Sequence, residues 1–215
     1  ECSSAASDVY KRQPINKHLS DYEIKLPNFW DKIYDEGNPA WGKAPANILE
    51  KFTTYFPIQG KILDIGCGEG RNSIPLSKKG YEVHGIDISS TAIDIANKKQ
   101  SDCVFKCIDV FEMNTDTKYD VIIDFGLYHF VPYEFRKQYA DNIYKMLSKD
   151  GVYCNQSGRA ENKIGSDDYT PPQLEEEDLV DAFKNFDIVL LEKEILPSFS
   201  DYWAYPCWNM VAKTK

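Results

Sequence analysis

The stretch LDIGCGEGRNSIPL, residues 63–76, constrains the fold of this 215-residue chain more than any other part of its sequence. Apolar residues typical of a buried strand lead directly into a turn that contains Gly66, Gly68 and Gly70, and a helical pattern follows. Glycine tolerates positive φ angles and lets a ligand come close to the backbone. A strand–turn–helix unit of this kind therefore predicts a binding site at the turn.

Short apolar segments alternate with helical patterns from residue 60 onwards. The predicted strands are KILDIG, YEVHGID, CVFKCID, YDVIIDFG and GVYCNQS. This alternation predicts a mainly parallel sheet with helices on both faces and right-handed connections, which is an α/β doubly wound (Rossmann-like) fold. The last two strand-like segments, DIVLLEKEI and WNMVAKTK, have no helix between them, so we expect an antiparallel edge.

The composition argues against several kinds of partner. The formal net charge is −9 and no long cluster of lysine or arginine is present, so we expect no nucleic acid partner. No apolar run approaches the ~20 residues that a bilayer span needs, so we expect no membrane partner. The six cysteines lack paired CxxC spacing. We therefore expect no metal site, and a cytoplasmic location.

The beginning of the chain differs from the rest. We expect residues 1–20 to form a disordered leader that carries no chemistry. The hexapeptide DVYKRQ can be encoded by a transposon end used in preparing sequencing libraries, so we interpret residues 1–13 as a sequencing artefact. A flexible natural terminus is the alternative.

The residues around the glycine turn distinguish between possible ligands. A dinucleotide fingerprint needs a third glycine where this chain has Arg71, and the Gly-Lys-Ser/Thr ending of a phosphate-binding loop is absent. Asp64 and Glu69 would repel a pyrophosphate but suit a ligand with an ammonium and a sulfonium group. Asp87 follows the second strand, where an acid binds ribose hydroxyls, and Asp109 can accept a hydrogen bond from an adenine amino group. The predicted ligand is S-adenosylmethionine.

The ordered motifs LDIGCGEGRNS, GIDIS, CIDV and YDVIIDFG resemble those of class I S-adenosylmethionine-dependent methyltransferases. With the leading segment FWDKIYDEGNPAWG, the chain is similar to the thiopurine, thiol/halide and tellurite-resistance methyltransferases. The resemblance implies a seven-stranded sheet in the order 3-2-1-4-5-7-6 with an antiparallel last strand. It also implies one methyltransferase domain over residues 21–215, with N-terminal helices that cover the cofactor.

The resemblance also implies site residues. The cofactor-binding positions are Trp30, Tyr34, Trp41, Asp64, Gly66, Cys67, Gly68, Gly70, Asn72, Asp87, Ile88, Asp109, Val110, Asp124 and Phe125. The catalytic candidates are His129, Asp124 and Tyr128. His129 is the one histidine that follows the fourth strand, and its usual pKa of about 6.5 suits a base at neutral pH. A hydrogen-bonded residue in the wall of the pocket is the alternative role for His129.

The leading functional interpretation is methyl transfer to a small-molecule acceptor with a soft nucleophile, such as a thiol, a halide, or a selenium or tellurium species. Such a nucleophile needs no base, and the enzyme has to align it and exclude water. One alternative is an N-, O- or C-methyltransferase with His129 as base. Another is a sensor that binds S-adenosylmethionine, or its product S-adenosylhomocysteine, without turnover. We expect a monomer or a weak homodimer.

Overall fold

The computed structural model describes residues 26–37, 42–159, 174–196 and 205–215. The strands are β1 (Lys61–Ile65), β2 (Glu82–Asp87), β3 (Val104–Cys107), β4 (Tyr119–Phe125), β5 (Leu147–Gly158), β6 (Phe186–Leu196) and β7 (Tyr205–Thr214). The helices are α1 (Leu26–Asp35), α2 (Ile48–Thr53), α3 (Ser73–Lys78), α4 (Ser90–Lys98), α5 (Tyr133–Met146) and α6 (Glu176–Ala182). A short 3-10 helix, Tyr128–Phe130, follows β4.

The strands form one seven-stranded sheet in the order β3-β2-β1-β4-β5-β7-β6. β1 pairs in parallel with β2 and β4, whereas β7 is antiparallel to both β5 and β6. The predicted α/β doubly wound, Rossmann-like fold, with its strand order and antiparallel last strand, is confirmed. Because β1 and β4 are neighbours although β2 and β3 lie between them in the chain, the topological switch point falls at the end of β1.

The central strands read as apolar runs because both faces of the sheet are covered. Tyr139 and Ile143 of α5 pack on one face together with Phe183, which follows α6. Phe52 of α2 packs on the opposite face with Ile62 of β1. Burying a side chain of this size stabilises the fold by about 1.5–3 kcal/mol, so these two layers hold the sheet and fix the positions of its strand ends.

Two predictions concern residues outside the described ranges. The leader over residues 1–20 and the aromatic side chain of Trp41 both lie outside them. The extent of the domain, residues 21–215, stays a prediction. None of the helices within the described ranges is long and apolar enough to span a bilayer.

Candidate functional site

The glycine turn after β1 requires glycine at two positions. Gly68 and Gly70 have φ angles of +54° and +79°. A Cβ atom at Gly68 would lie 2.3 Å from Tyr34 Oη, and one at Gly70 would lie 2.8 Å from Phe105 Cζ. The turn therefore packs tightly beneath the leading helix α1. Gly66 begins the turn, and its amide donates to Ile86 O at 2.8 Å, which joins the turn to β2.

Asp87, at the end of β2, is buried and joined to the turn. Its Oδ2 accepts the Gly68 amide at 2.8 Å, and its Oδ1 accepts the Ser89 amide at 2.9 Å. Burial raises the pKa of Asp87 to about 6, against the opposing effect of these two hydrogen bonds. Each carboxylate oxygen has a further lone pair, so the side chain can still accept hydrogen bonds from ribose hydroxyls.

Asp109 carries an unpaired polar atom. Its Oδ1 accepts the Phe111 amide at 2.8 Å, whereas its Oδ2 is buried and has no hydrogen-bond partner in the described part of the chain. Burial also raises the pKa of this carboxyl. A buried acceptor without a donor costs about 1–3 kcal/mol, which an adenine amino group would recover. This atom, together with the narrow glycine turn, fits S-adenosylmethionine.

Three other polar residues in or beside the turn bind other parts of the protein. Asp64 Oδ2 accepts the Ser73 hydroxyl at 2.5 Å, and burial raises the pKa of Asp64 to about 7. Asn72 Oδ1 accepts the Ala46 amide at 2.8 Å, so this oxygen is directed at the leading segment. Glu69 Oε2 lies 2.5 Å from the ammonium of Lys99, so the charge that we assigned to an ammonium ligand has a partner within the chain.

Helix α1 lies over the carboxyl ends of the strands. Asp31 Oδ1 accepts the Ser89 hydroxyl at 2.6 Å and the Thr91 amide at 3.0 Å, which joins α1 to the start of α4. Trp30 packs edge-on against Phe130, with 5.1 Å between ring centroids, which joins α1 to the 3-10 helix after β4. α1 thus spans both sides of the switch point. The sequence marked Trp30 and Tyr34 as residues that cover the cofactor, which stays a prediction, but Asp31 had no motif to mark it.

The remaining predicted cofactor positions surround the same edge. Cys67 and Val110 are buried, at 5% exposure each. Ile88 follows Asp87 and is half-buried, as is Phe125 at the end of β4. The ring centroid of Phe125 lies 5.6 Å from that of Phe52, so its ring is directed at the face that α2 covers.

Asp124, a catalytic and cofactor-binding candidate, has its carboxylate occupied by donors from within the protein. This carboxylate is fully buried, and its Oδ1 accepts the Leu127 amide at 2.9 Å and the Tyr128 amide at 3.3 Å. Its Oδ2 accepts the hydroxyls of Tyr139 at 2.6 Å and Tyr153 at 3.1 Å. Four donors saturate the carboxylate from within the protein. Asp124 therefore stabilises the turn after β4 and has no lone pair left for a cofactor or an acceptor.

Tyr128, the third catalytic candidate, has its hydroxyl bound within the protein. Its side chain is fully buried, and its hydroxyl donates to Asp178 O at 3.0 Å. The ring packs against Tyr139 and Phe183, with centroid distances of 5.4 Å to each. The side chain therefore lies in the core beneath α5 and α6.

His129 is buried, but its geometry does not suit a general base. Its Nδ1 accepts the backbone amide of Gly158, at the end of β5, at 3.0 Å. Burial lowers the pKa of His129 to about 3, so the ring is neutral at pH 7. A neutral imidazole whose Nδ1 accepts a hydrogen bond carries its proton on Nε2. It therefore has no free lone pair with which to remove a proton from an acceptor.

The sequence reasoning overlooked Gln156, which is buried near the end of β5. A single glutamine within an apolar strand pattern gives no signal of a ligand contact. Within the described ranges, no group of three or more histidine, cysteine, aspartate or glutamate side chains is arranged to hold a metal ion.

Comparisons with known proteins agree with this geometry. Residues 62–151 match the family model of the methyltransferase domain. The 2-heptyl-1-hydroxyquinolin-4(1H)-one methyltransferase of Mycobacteroides abscessus is 30% identical over 123 residues, which are 54% of this chain and 54% of that protein. Thiocyanate methyltransferase 1 of Arabidopsis thaliana is 28% identical over 130 residues, 57% of each chain. The chain thus spans about half the length of the curated relatives that it matches.

A solved structure shares the fold over a longer range. The crystal structure of TehB from Haemophilus influenzae superimposes with a TM-score of 0.69 at 19% sequence identity, over 88% of this chain and 67% of that one. At this identity the likeness concerns the arrangement of the strands and helices.

Proposed function

We propose that this chain is a class I S-adenosylmethionine-dependent methyltransferase that methylates a soft nucleophile in a small molecule. The acceptor would be a thiol, a halide, or a selenium or tellurium species. The observation that carries the proposal is the hydrogen bond from the Gly158 amide to His129 Nδ1, at 3.0 Å. It occupies the lone pair that a base would need, so the site favours an acceptor that requires no deprotonation.

The cofactor would lie along the ends of β1, β2 and β3. Asp87 would accept the ribose hydroxyls, and Asp109 Oδ2 would accept the adenine amino group. The glycine turn would leave room for the methionine portion. When bound, S-adenosylmethionine supplies a methyl group that its sulfonium already activates, and S-adenosylhomocysteine is the product.

The protein would contribute alignment and the exclusion of water. Positioning of two reactants in a near-attack geometry can supply ~7–11 kcal/mol of the barrier. α1 supports this role because Tyr34, at 6% exposure, covers Gly68 and Trp30 contacts Phe130 across the switch point. A soft anion loses part of its hydration beneath such a cover, which makes it a better nucleophile.

The names of the relatives suggest both sulfur and oxygen acceptors. One relative is named for thiocyanate and another for a hydroxyquinolinone. An oxygen acceptor that is already ionised at neutral pH would also need no base, so it is the second candidate. A neutral alcohol or amine that must lose a proton fits less well, because Asp124 and His129 both have their acceptor atoms occupied.

A product screen tests the proposal. The purified protein is incubated with S-adenosylmethionine and, separately, with iodide, thiols, selenite, tellurite, phenols and amines, and products are identified by headspace and liquid mass spectrometry. We expect methyl iodide, methyl sulfides or methylated selenium or tellurium compounds. Methylation of amines or neutral alcohols alone would refute the soft-nucleophile proposal. Tight binding of S-adenosylhomocysteine with no product from any acceptor would favour the sensor.

A further inference from the structure

A row of side chains crosses four strands next to the glycine turn. In the sheet register Phe125 of β4 pairs with Gln156 of β5, Gln156 pairs with Asn209 of β7, and Asn209 pairs with Glu192 of β6. Side chains in register share one face of a sheet. The row begins beside the turn, because Ile65 pairs with Asp124, the residue before Phe125.

Hydrogen bonds fix the direction of both amides in this row. Asn209 Nδ2 donates to Glu194 Oε2 at 2.5 Å, and Gln156 Nε2 donates to Asn209 Oδ1 at 2.9 Å. A carboxylate can only accept, so Asn209 must direct its amino group at Glu194 and its oxygen at Gln156. Gln156 must then use its own amino group on Asn209. The atom that remains is the carbonyl oxygen Oε1 of Gln156.

Within the described ranges, this oxygen has no hydrogen-bond partner, and it is the accessible atom of a largely buried side chain. Gln156 is 8% exposed and Asn209 is fully buried. Gln156 Oε1 accepts no hydrogen bond from the residues that the structure describes, although the rest of the row is satisfied. Glu192, the outer member, is neutralised by Lys51 at 2.5 Å. The network thus fixes Gln156 Oε1 as an available acceptor beside the end of β4, where methyl transfer is proposed to occur.

We propose that Gln156 binds the methyl acceptor through Oε1. The acceptor is then an organic thiol or selenol with an N–H or O–H donor beside its nucleophilic atom, and not a bare inorganic anion. The inference rests on the proposed function and narrows it. A site built to hydrogen-bond a substrate donor discriminates strongly against the analogue that lacks it, because the protein atom is then left unpaired.

Two matched thiols test the inference. 2-Mercaptoethanol carries a hydroxyl donor, whereas 2-methoxyethanethiol has a similar thiol and an oxygen without a hydrogen. We expect kcat/KM of the wild-type protein to be at least about 10-fold higher for 2-mercaptoethanol, the ratio that 1.4 kcal/mol represents. Gln156→Met keeps the length of the side chain and removes the amide. In this variant kcat/KM for 2-mercaptoethanol should fall, so that the ratio of kcat/KM between the two thiols drops below about 3.

Lys193→Met is the matched control, because Lys193 lies between Glu192 and Glu194 in β6 and on the opposite face. It should keep the wild-type preference. The thermal midpoint and the S-adenosylhomocysteine Kd are measured for both variants, and the wild-type comparison stands even if Gln156→Met does not fold. Equal kcat/KM on both thiols, or turnover of iodide and neither thiol, would overturn the inference and leave the proposed function standing. The absence of product from every acceptor would contradict both the inference about Gln156 and the proposed function.

Discussion

Four aspartates lie at or just beyond the carboxyl ends of neighbouring parallel strands, and each has a different environment. Asp124 accepts four hydrogen bonds, and Asp87 accepts two backbone amides. Asp64 accepts the hydroxyl of Ser73, whereas Asp109 Oδ2 has no partner among the residues that the structure describes. Aspartates at similar strand ends therefore have different roles. Asp124 and Asp64 stabilise the fold, whereas Asp87 and Asp109 remain available to a ligand.

Asp109→Asn should weaken the binding of S-adenosylhomocysteine about 10- to 100-fold in isothermal titration calorimetry. The oxygen of the substituted side chain would still accept the Phe111 amide, so its amino group would replace the unpaired acceptor and oppose the adenine amino group. Asp116→Asn, at an exposed position before β4, is the control and should bind normally. Unchanged affinity in Asp109→Asn would show that the adenine lies elsewhere.

His129 is expected to act through the fold and not through proton transfer. His129→Asn places an oxygen near the Nδ1 position to accept the Gly158 amide, so kcat should stay within about 10-fold and the pH profile should keep its shape. His129→Leu leaves that amide unpaired and should lower the free energy of unfolding by about 1–3 kcal/mol in urea denaturation. If His129→Asn is normally stable but loses more than about a thousandfold in kcat, His129 acts as a general base after all.

At the scale of the elements, α1 depends on a polar contact as well as on its aromatic face. Asp31 binds the first residues of α4, where backbone amides have no partner within the helix. Its carboxylate also suits the positive end of the helix dipole. The contact positions α1 over the turn that Asp87 holds, so cofactor binding and the docking of α1 are joined through Ser89.

Asp31→Ala should therefore increase hydrogen exchange in α1 and weaken S-adenosylhomocysteine binding about 10-fold, since one charged hydrogen-bonding group contributes about 1.5–3 kcal/mol. Asp35→Ala removes an exposed carboxylate from the end of the same helix and should change neither quantity. If exchange in α1 rises while affinity stays normal, the helix does not cover the cofactor.

At the scale of the whole molecule, buried carboxyls link stability to pH. Burial raises the pKa of Asp64 from 3.8 to about 7 and that of Asp87 from 3.8 to about 6. The folded state thus holds these protons more tightly than the unfolded chain does. The stability that they contribute is complete below pH 4 and is lost as the pH rises through 6 and 7. His129 acts oppositely, because its lowered pKa costs stability as the pH falls below 6.5.

A comparison with Asp64→Asn isolates the effect of one group. Between pH 5 and pH 8 the wild-type free energy of unfolding should fall relative to that of the variant by on the order of 2 kcal/mol. The side-chain amide of the variant cannot ionise, but its oxygen can still accept the Ser73 hydroxyl. Urea denaturation of the cofactor-free proteins at several pH values measures the difference. Parallel pH curves for the two proteins would mean that Asp64 titrates normally in the fold.

Much of the fold was predictable because it depends on local patterns. The apolar runs and the glycine turn each act over a few residues, and they predicted the parallel sheet and its antiparallel edge, whereas the confirmed strand order came from the family resemblance. The positions of Asp87 and Asp109 at strand ends followed from the same register. The monomeric or weakly dimeric state and the cytoplasmic location stay predictions.

The sequence by itself determined the type of sheet and the binding turn after its first strand, since periodicity and turn chemistry are properties of short segments. Only the tertiary structure decided what each polar side chain does. Asp124 is saturated by tyrosines from α5 and β5, His129 is held by the end of β5, and the free oxygen of Gln156 depends on Glu194 two strands away. Hydrogen-bond partners distant in the chain decide which lone pairs remain, and no local pattern records them.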